Sequence, residues 1–451
     1  MTYEMQALPS STVSLRMLLA AACAEGESVL ENISDAADVS SLVACLRSVG
    51  VSAEWEGAGI IRVKGCRAQG GTSGAPVECG YGRSADTFRL LSPMLAAGKG
   101  TFRLIGASAA EELPADSLAD ALSQQGSLLS ADGGSNGFSL SAAGLSGGDV
   151  AVSIEQSSQY VSGLLLAAPL AQNQTSLFLS GQVVTTWAYI GLTLQIMKTF
   201  GVRFDICTRT GPSGGWWPAD WGKMREAVPG LVRLRVRPSE YKAGRYRAEG
   251  SWASSVFSLL AGALGRESVS VIGLRKDSVQ PEAYILKLLR DMGARIEWER
   301  RGSELAVTVH PADLHSLNAD LSFCPEIVPA AAVLAAFADG ESTIGAASLA
   351  EGEAAPLARA AKLLDSAGIT YAMEDGKLTV FGKSGGEQEE GERLNLSGRE
   401  VRIAPGETPQ AAALSALFSF AGADVVWSED DAEGNAAFGD LTGTVRRLCS
   451  D

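Results

Sequence analysis

The chain has 451 residues, 46% of them hydrophobic and 20% charged, with a formal net charge of −15. The length suits two or three domains or a pseudo-symmetric pair, and the hydrophobic share excludes global disorder. The acidic balance argues against a nucleic-acid partner, though not against a locally basic pocket for a small anion.

Histidine and cysteine usage narrows the chemistry further. The two histidines, His310 and His315, do not stack on one helical face, so zinc sites and Ser-His-Asp catalysis are not expected. Seven scattered cysteines without a C-x-x-C pair fit a reducing cytoplasm rather than a disulfide framework. The opening MTYEMQALPSSTV lacks a basic stretch followed by an apolar run, so no signal peptide is expected. The apolar runs Val161–Ala171 and Ile327–Ala338 are too short to span a bilayer. No membrane partner, metal or organic cofactor is indicated, and a monomer is expected.

Taken in chain order, one phrase recurs: an Ala/Leu-rich helical run, a turn usually holding Gly, and a β-prone run. The copies are LRMLLAAACAEGESVLENI from Leu15, FRLLSPMLAAGKGTFRLIG from Phe88 and VSGLLLAAPLAQNQTSLFLSG from Val161. They continue as VFSLLAGALGRESVSVIGL from Val256, AAAVLAAFADGESTIGAASL from Ala330 and AALSALFSFAGADVVWSE from Ala412. Their starts lie roughly 70–90 residues apart, too long for a solenoid repeat. Small and Leu side chains all round make a helix buried on most of its surface. Gly allows the left-handed cap that stops it, and the Val, Ile, Thr and Phe that follow favour a strand. A second helix precedes the next strands, most clearly at Ala37–Gly50 and Glu282–Gly293. Each unit therefore reads as strand–helix–strand–helix–strand–strand.

Between the third and fourth copies lies a longer spacer holding GPSGGWWPADWG and the basic stretch Arg233–Arg247. Alternation in RLRVR puts three arginines on one strand face, either solvated or lining an anion site. Trp216, Trp217 and Trp221 stack a ligand or pack on their own domain. Gly382–Asn395 is acidic and Gly-rich and reads as a solvated loop.

Six such units resemble the enolpyruvyltransferase fold, and the local words are similar to those of the 5-enolpyruvylshikimate-3-phosphate synthase (3-phosphoshikimate 1-carboxyvinyltransferase) family. The words include SSQ at Ser157–Gln159, GLRKDSVQPEAYILKLLRDMGA at Gly273–Ala294, and Leu321–Gly340. The resemblance implies an α/β fold of two domains, three βαβαββ units each, around a central cleft. It implies one domain over residues 14–240 and another over residues 1–13 with 241–451. It also implies transfer of enolpyruvyl from phosphoenolpyruvate to shikimate-3-phosphate or a related alcohol, with release of phosphate.

Carried over residue by residue, the acceptor half is largely kept. Thr12 and Arg16 in LPSSTVSLR stand at the substrate-binding serine and the arginine of the family's P-G-S-K-S-x-S-N-R word. Ser157, Ser158 and Gln159 match the residues that hold the substrate phosphate and a ring hydroxyl, and such groups donate several hydrogen bonds. Thr186 and Tyr189 stand at the serine and tyrosine of S-K-P-Y, and Glu326 stands at the aspartate base. Glu351 stands at the catalytic glutamate. Each also has a plainer reading, as helix cap, first-turn acid or strand residue.

The phosphoenolpyruvate half departs from the pattern. Its opening lysine is Ser11, and its G-N-A-G-T word is Gly82–Asp86, GRSAD, so an acid enters. The arginine of R-P is Leu113, K-E-S-D-R is Ala350–Ala354, AEGEA, and D-H-R is Glu407–Pro409, ETP. No Lys or Arg lies between Arg402 and Arg446, so the late lysine is absent. A charge-assisted hydrogen bond contributes about 1.5–3 kcal/mol, so these losses predict weak binding of phosphoenolpyruvate unless other cations replace them. The alternative function is a re-purposed or catalytically degenerate paralogue that keeps part of the acceptor site.

Overall fold

The computed structural model describes residues 2–66, 75–106, 113–132, 137–182, 184–346, 355–383, 394–403 and 408–427. The chain divides into two compact units, Pro9–Glu249 and Met1–Leu8 with Gly250–Asp451.

The unit Pro9–Glu249 holds helices α1 (Ser11–Cys23), α2 (Ala37–Ser48), α3 (Ala85–Ala96), α4 (Asp116–Ser123), α5 (Gln159–Ala167) and α6 (Ala188–Thr199). Its sheets repeat one plan, in which a first strand runs parallel to a second and two antiparallel strands follow. Arg245–Arg247, Glu27–Glu31, Ile60–Lys64 and Ser52–Gly57 form the first sheet. Val77–Gly82, Gly100–Gly106, Gly137–Ala142 and Leu128–Ala131 form the second. Gly148–Ser153, Thr175–Ser180, Val232–Val236 and Phe204–Thr208 form the third, to which Trp217–Pro218 adds a further edge strand.

The other unit holds α7 (Trp252–Leu264), α8 (Ile285–Asp291), α9 (Val328–Phe337), α10 (Pro356–Ala367) and α11 (Pro409–Ala416). Thr2–Gln6, Ser268–Ile272, Glu304–Val309 and Ile296–Arg301 repeat the plan, as do Asn318–Asp320, Glu341–Gly345, Lys377–Phe381 and Tyr371–Glu374. Glu400–Ile403 lies parallel to Asp424–Trp427 and begins a third copy. The six α/β units expected from the repeat are therefore visible, the last of them in part. The second helix expected at Glu282–Gly293 starts as a tight turn, Pro281–Tyr284, because proline suits a helix start, and then continues as α8.

The expected boundaries at residues 13/14 and 240/241 differ from the observed ones for a topological reason. The first strand of the unit Pro9–Glu249 comes from beyond residue 240, which moves that boundary, while Thr2–Gln6 stays with residues 250–451. Thr2–Gln6 pairs in parallel with Ser268–Ile272, and Arg245–Arg247 pairs in parallel with Glu27–Glu31. The end of the basic stretch therefore belongs with the first half of the chain. Ser10, which caps α1 by accepting from the Val13 amide, does so too.

The repeated helices are buried as their composition requires. In α1 every residue from Val13 to Ala22 is buried, and in α9 both the small residues and Val333, Leu334 and Phe337 are. His310, expected to be structural, bonds through Nδ1 to Ser268 Oγ at 2.8 Å and lies 3.5 Å from Glu297. Gly382–Asn395 falls mostly on residues 384–393, outside those described. Among the described residues no helix is long and apolar enough to cross a membrane.

Candidate functional site

Within Pro9–Glu249 the starts of several helices approach one another, and the residues expected of the acceptor half lie in or just before α1, α5 and α6. Helix α1 supplies Ser11, Thr12 and Arg16. The Ser11 hydroxyl favours the ionised form of the Asp38 carboxyl in the first turn of α2. Thr87 of α3 donates to the Asp38 carbonyl at 3.4 Å. Asp86, in the first turn of α3, pairs with Arg89 at 3.7 Å. Arg89 lies 5.7 Å from the ring of Tyr160 on α5. The Tyr160 hydroxyl donates to the Pro114 carbonyl, which brings Leu113, at the place of the family's arginine, beside α5. The Tyr189 carbonyl of α6 accepts from Ser162 of α5 at 3.3 Å.

Arg16 is the centre of this arrangement. It is 0% exposed. Its Nε donates to Thr193 Oγ1 at 2.9 Å and its Nη1 to the Thr12 carbonyl at 2.9 Å, while Nη2 is buried without a hydrogen bond. Burial pushes the guanidinium down to about 10, and Asp86 and Tyr189 act against that fall. Arg16 therefore stays charged at neutral pH.

Ser157, Ser158 and Gln159 lead into α5. The Ser157 hydroxyl accepts from the Gln159 amide at 3.2 Å. Ser158 occupies the cap position, but its side chain makes no capping bond, so the plain N-cap reading fails there. Gln159 Oε1 is buried without a hydrogen bond. Thr186 Oγ1 accepts from the Ala188 amide at 3.3 Å, which serves one of the donors that a helix start leaves unpaired.

The two glutamates expected to handle protons belong to the other unit. Glu326 is half-buried in the turn Pro325–Ile327 that leads into α9. Glu351, with the rest of Ala350–Ala354, lies outside the described residues, as does Glu407.

Two carboxylates alter the electrostatics of the convergence. Burial raises the Asp38 carboxyl above its usual range and Asp86 adds to the rise, while the Val39 amide and Ser11 hydroxyl oppose it. Asp86 also occupies the positive end of α3, where Ser84 already accepts from the Thr87 amide at 3.1 Å. A helix start attracts anions, and here an internal carboxylate takes that role. Asp86 thus acts on both Arg16 and Arg89. Asp38 and Thr193 were missed by sequence reasoning, because nothing in their neighbours along the chain marks them. Their partners come from other helices.

Asp86→Asn is expected to raise the affinity for an anionic ligand at this site at least about tenfold, since a unit charge several ångströms away contributes on the order of 2 kcal/mol at a partly buried position. Calorimetric titration with shikimate-3-phosphate at low and high salt checks this. An unchanged affinity would refute the electrostatic role given to Asp86.

Comparisons with known proteins bear on the family and the fold. A family model described as EPSP synthase (3-phosphoshikimate 1-carboxyvinyltransferase) matches residues 2–211 and 226–400. The 3-phosphoshikimate 1-carboxyvinyltransferase of Aeromonas salmonicida is 32% identical over 342 residues, covering 74% of this chain and 73% of the relative. That of Shewanella denitrificans is 30% identical over 341 residues, with the same coverage of 74% and 73%. Among solved structures, EPSP synthase from Acinetobacter baumannii is similar in fold, with a TM-score of 0.73 at 20% identity over 98% of this chain and 95% of that one. The enolpyruvyl transferase NikO from Streptomyces tendae gives 0.68 at 19% identity, over 99% and 94%.

Proposed function

The chain belongs to the EPSP synthase family, and on that premise we propose that it transfers an enolpyruvyl group from phosphoenolpyruvate to shikimate-3-phosphate or a closely related cyclic alcohol. One observation carries the acceptor assignment. Arg16 Nη2 is a buried donor and Gln159 Oε1 a buried acceptor, and neither has a hydrogen bond. Buried polar atoms are nearly always paired, so an unpaired couple of opposite sense calls for a ligand that brings both an anionic or carbonyl oxygen and a hydroxyl. A phosphorylated polyol brings both. Thr12, Ser157, Ser158, Thr186 and Tyr189 complete the acceptor set.

In the reaction the acceptor hydroxyl loses a proton and its oxygen bonds the enol carbon of phosphoenolpyruvate. The methylene gains a proton, which is lost again as phosphate leaves, so the enolpyruvyl double bond is restored. Glu326 and Glu351 are assigned to handle these protons.

Titration with shikimate-3-phosphate, then with phosphoenolpyruvate added and phosphate release followed, tests the proposal. Binding of the first and phosphate release with the second are expected, and Glu326→Gln should abolish turnover while sparing acceptor binding. Absence of acceptor binding would refute the assignment. Asp86 favours a second reading, a re-purposed paralogue that retains the acceptor half. Its signature is acceptor binding with no response to phosphoenolpyruvate.

A further inference from the structure

Residues 212–225 stand outside the family match, which resumes on either side of them. They form built structure rather than a loose loop. Trp217–Pro218 extends the third sheet on Cys207–Thr208, and the Ala219 amide donates to the Ile206 carbonyl at 2.9 Å. Asp220 caps the turn Trp221–Lys223 through the Gly222 amide at 3.2 Å. The Trp216 ring lies between the guanidinium groups of Arg209, at 4.7 Å, and Arg233, at 4.6 Å, with Phe178 edge-on at 6.0 Å. Contacts of this kind contribute in the range of about 0.5–2 kcal/mol each. Two arginines of the RLRVR strand are thus not simply solvated, Arg233 lying over Trp216 and Arg235 pairing with Asp205 at 3.8 Å.

The far end of the segment reaches the start of α6. Glu226–Ala227 pairs antiparallel with Thr185–Thr186. The Trp187 amide donates to the Arg225 carbonyl at 2.9 Å, and Trp187 Nε1 donates to the Trp221 carbonyl at 2.9 Å. Trp221 in turn lies edge-on to Phe204 at 5.9 Å. Helix α6 has Trp187 at its cap position with no side-chain cap of its own; Thr186 Oγ1 serves the Ala188 amide, and the segment holds the Trp187 amide and indole. Trp187 is 2% exposed and sits between Thr186 and Tyr189, where the family word S-K-P-Y has lysine.

We propose that segment 212–225 is a positioning element of the acceptor site, which braces Thr185–Trp187 and thereby holds Thr186 and Tyr189 in one geometry for a phosphorylated polyol. The inference rests on the acceptor assignment above. Positioning matters because a ligand bound by several hydroxyls loses affinity when any of them must first be ordered.

Two variants of the full chain test it. Trp187→Phe removes one hydrogen bond and keeps most of the ring, while Trp216→Ala loosens the segment without touching α6. Amide hydrogen exchange over residues 185–191 and over α3 is measured beside the affinity for shikimate-3-phosphate, in buffer where both variants are folded. Expected is a rise of about tenfold in exchange at 185–191 with α3 unchanged, and a loss of about fivefold to tenfold in affinity, the size of one hydrogen bond. If exchange at 185–191 does not rise in either variant, or rises with affinity unchanged, the positioning role is wrong. If the unmodified protein binds no shikimate-3-phosphate, the acceptor assignment fails and this inference falls with it.

Discussion

Arg16→Met should lose acceptor binding by at least about a hundredfold while leaving the fold as stable as before, or more stable. The two halves of that expectation have separate causes. The guanidinium is wholly buried, and burial pushes its ionisation down to about 10. Keeping a cation there works against folding by up to about 3 kcal/mol, at 1.4 kcal/mol per decade of shift. The sign follows from linkage. The unfolded chain binds the proton more tightly, so the penalty is fully present below the folded value and fades only as pH rises above it. Methionine fills similar volume without the charge. It also strands no partner, because Thr193 Oγ1 still donates to the Tyr189 carbonyl at 2.9 Å and the Thr12 carbonyl stays within α1. Loss of the Arg16 bonds to Thr193 and Thr12 offsets part of the gain. Urea unfolding beside calorimetric titration checks both halves. A variant that binds as before, or that unfolds several kcal/mol earlier, would contradict the assignment of Arg16 as a group held charged for a ligand.

Gly163→Ala should destabilise the protein by about 3 kcal/mol, although alanine is the better helix former. A Cβ built at Gly163 in α5 would stand 2.3 Å from the Arg89 carbonyl oxygen and 3.0 Å from Pro93 Cγ. The cause lies in α3. Pro93 is inside that helix and has no amide to give the Arg89 carbonyl. The carbonyl is directed at α5 instead, and only a residue without a side chain can pack against it. The methyl would push α5 away from α3, and with it Gln159 and Tyr160. Acceptor affinity should therefore fall together with stability. Pro93→Ala restores the missing amide and should recover part of the loss, so the double variant should be less destabilised than the sum of the singles. Strict additivity, or a shift below about 0.5 kcal/mol for Gly163→Ala alone, would show that the helices can slide apart freely.

Much of the architecture was legible along the chain. The repeated helix–turn–strand phrase marks six α/β units, because helices buried on nearly every side need Ala and Leu all round, and the turn after most of them holds Gly. The order of short words pointed to the family. Thr12, Arg16, Ser157–Gln159, Thr186 and Tyr189 are readable from those words, and the described structure gathers Arg16 and Tyr189 with Asp38 and Asp86 at neighbouring helix starts. The boundaries were less legible. Which sheet edge takes the last strand before the crossover depends on which edge is open, and Arg245–Arg247 does not carry that information in its own residues.

The sequence by itself determined the periodic burial, the unit count, the acidic surface and the identity of the residues available for an anionic acceptor, since these follow from side-chain chemistry read locally. Tertiary structure alone decided how those residues are used. It buried Arg16, set Asp86 against it, left Arg16 Nη2 and Gln159 Oε1 without hydrogen bonds, and laid segment 212–225 against the start of α6. Charge balance, desolvation and the supply of hydrogen-bond partners depend on distances between segments far apart in the chain, and a local pattern of residues does not encode those distances.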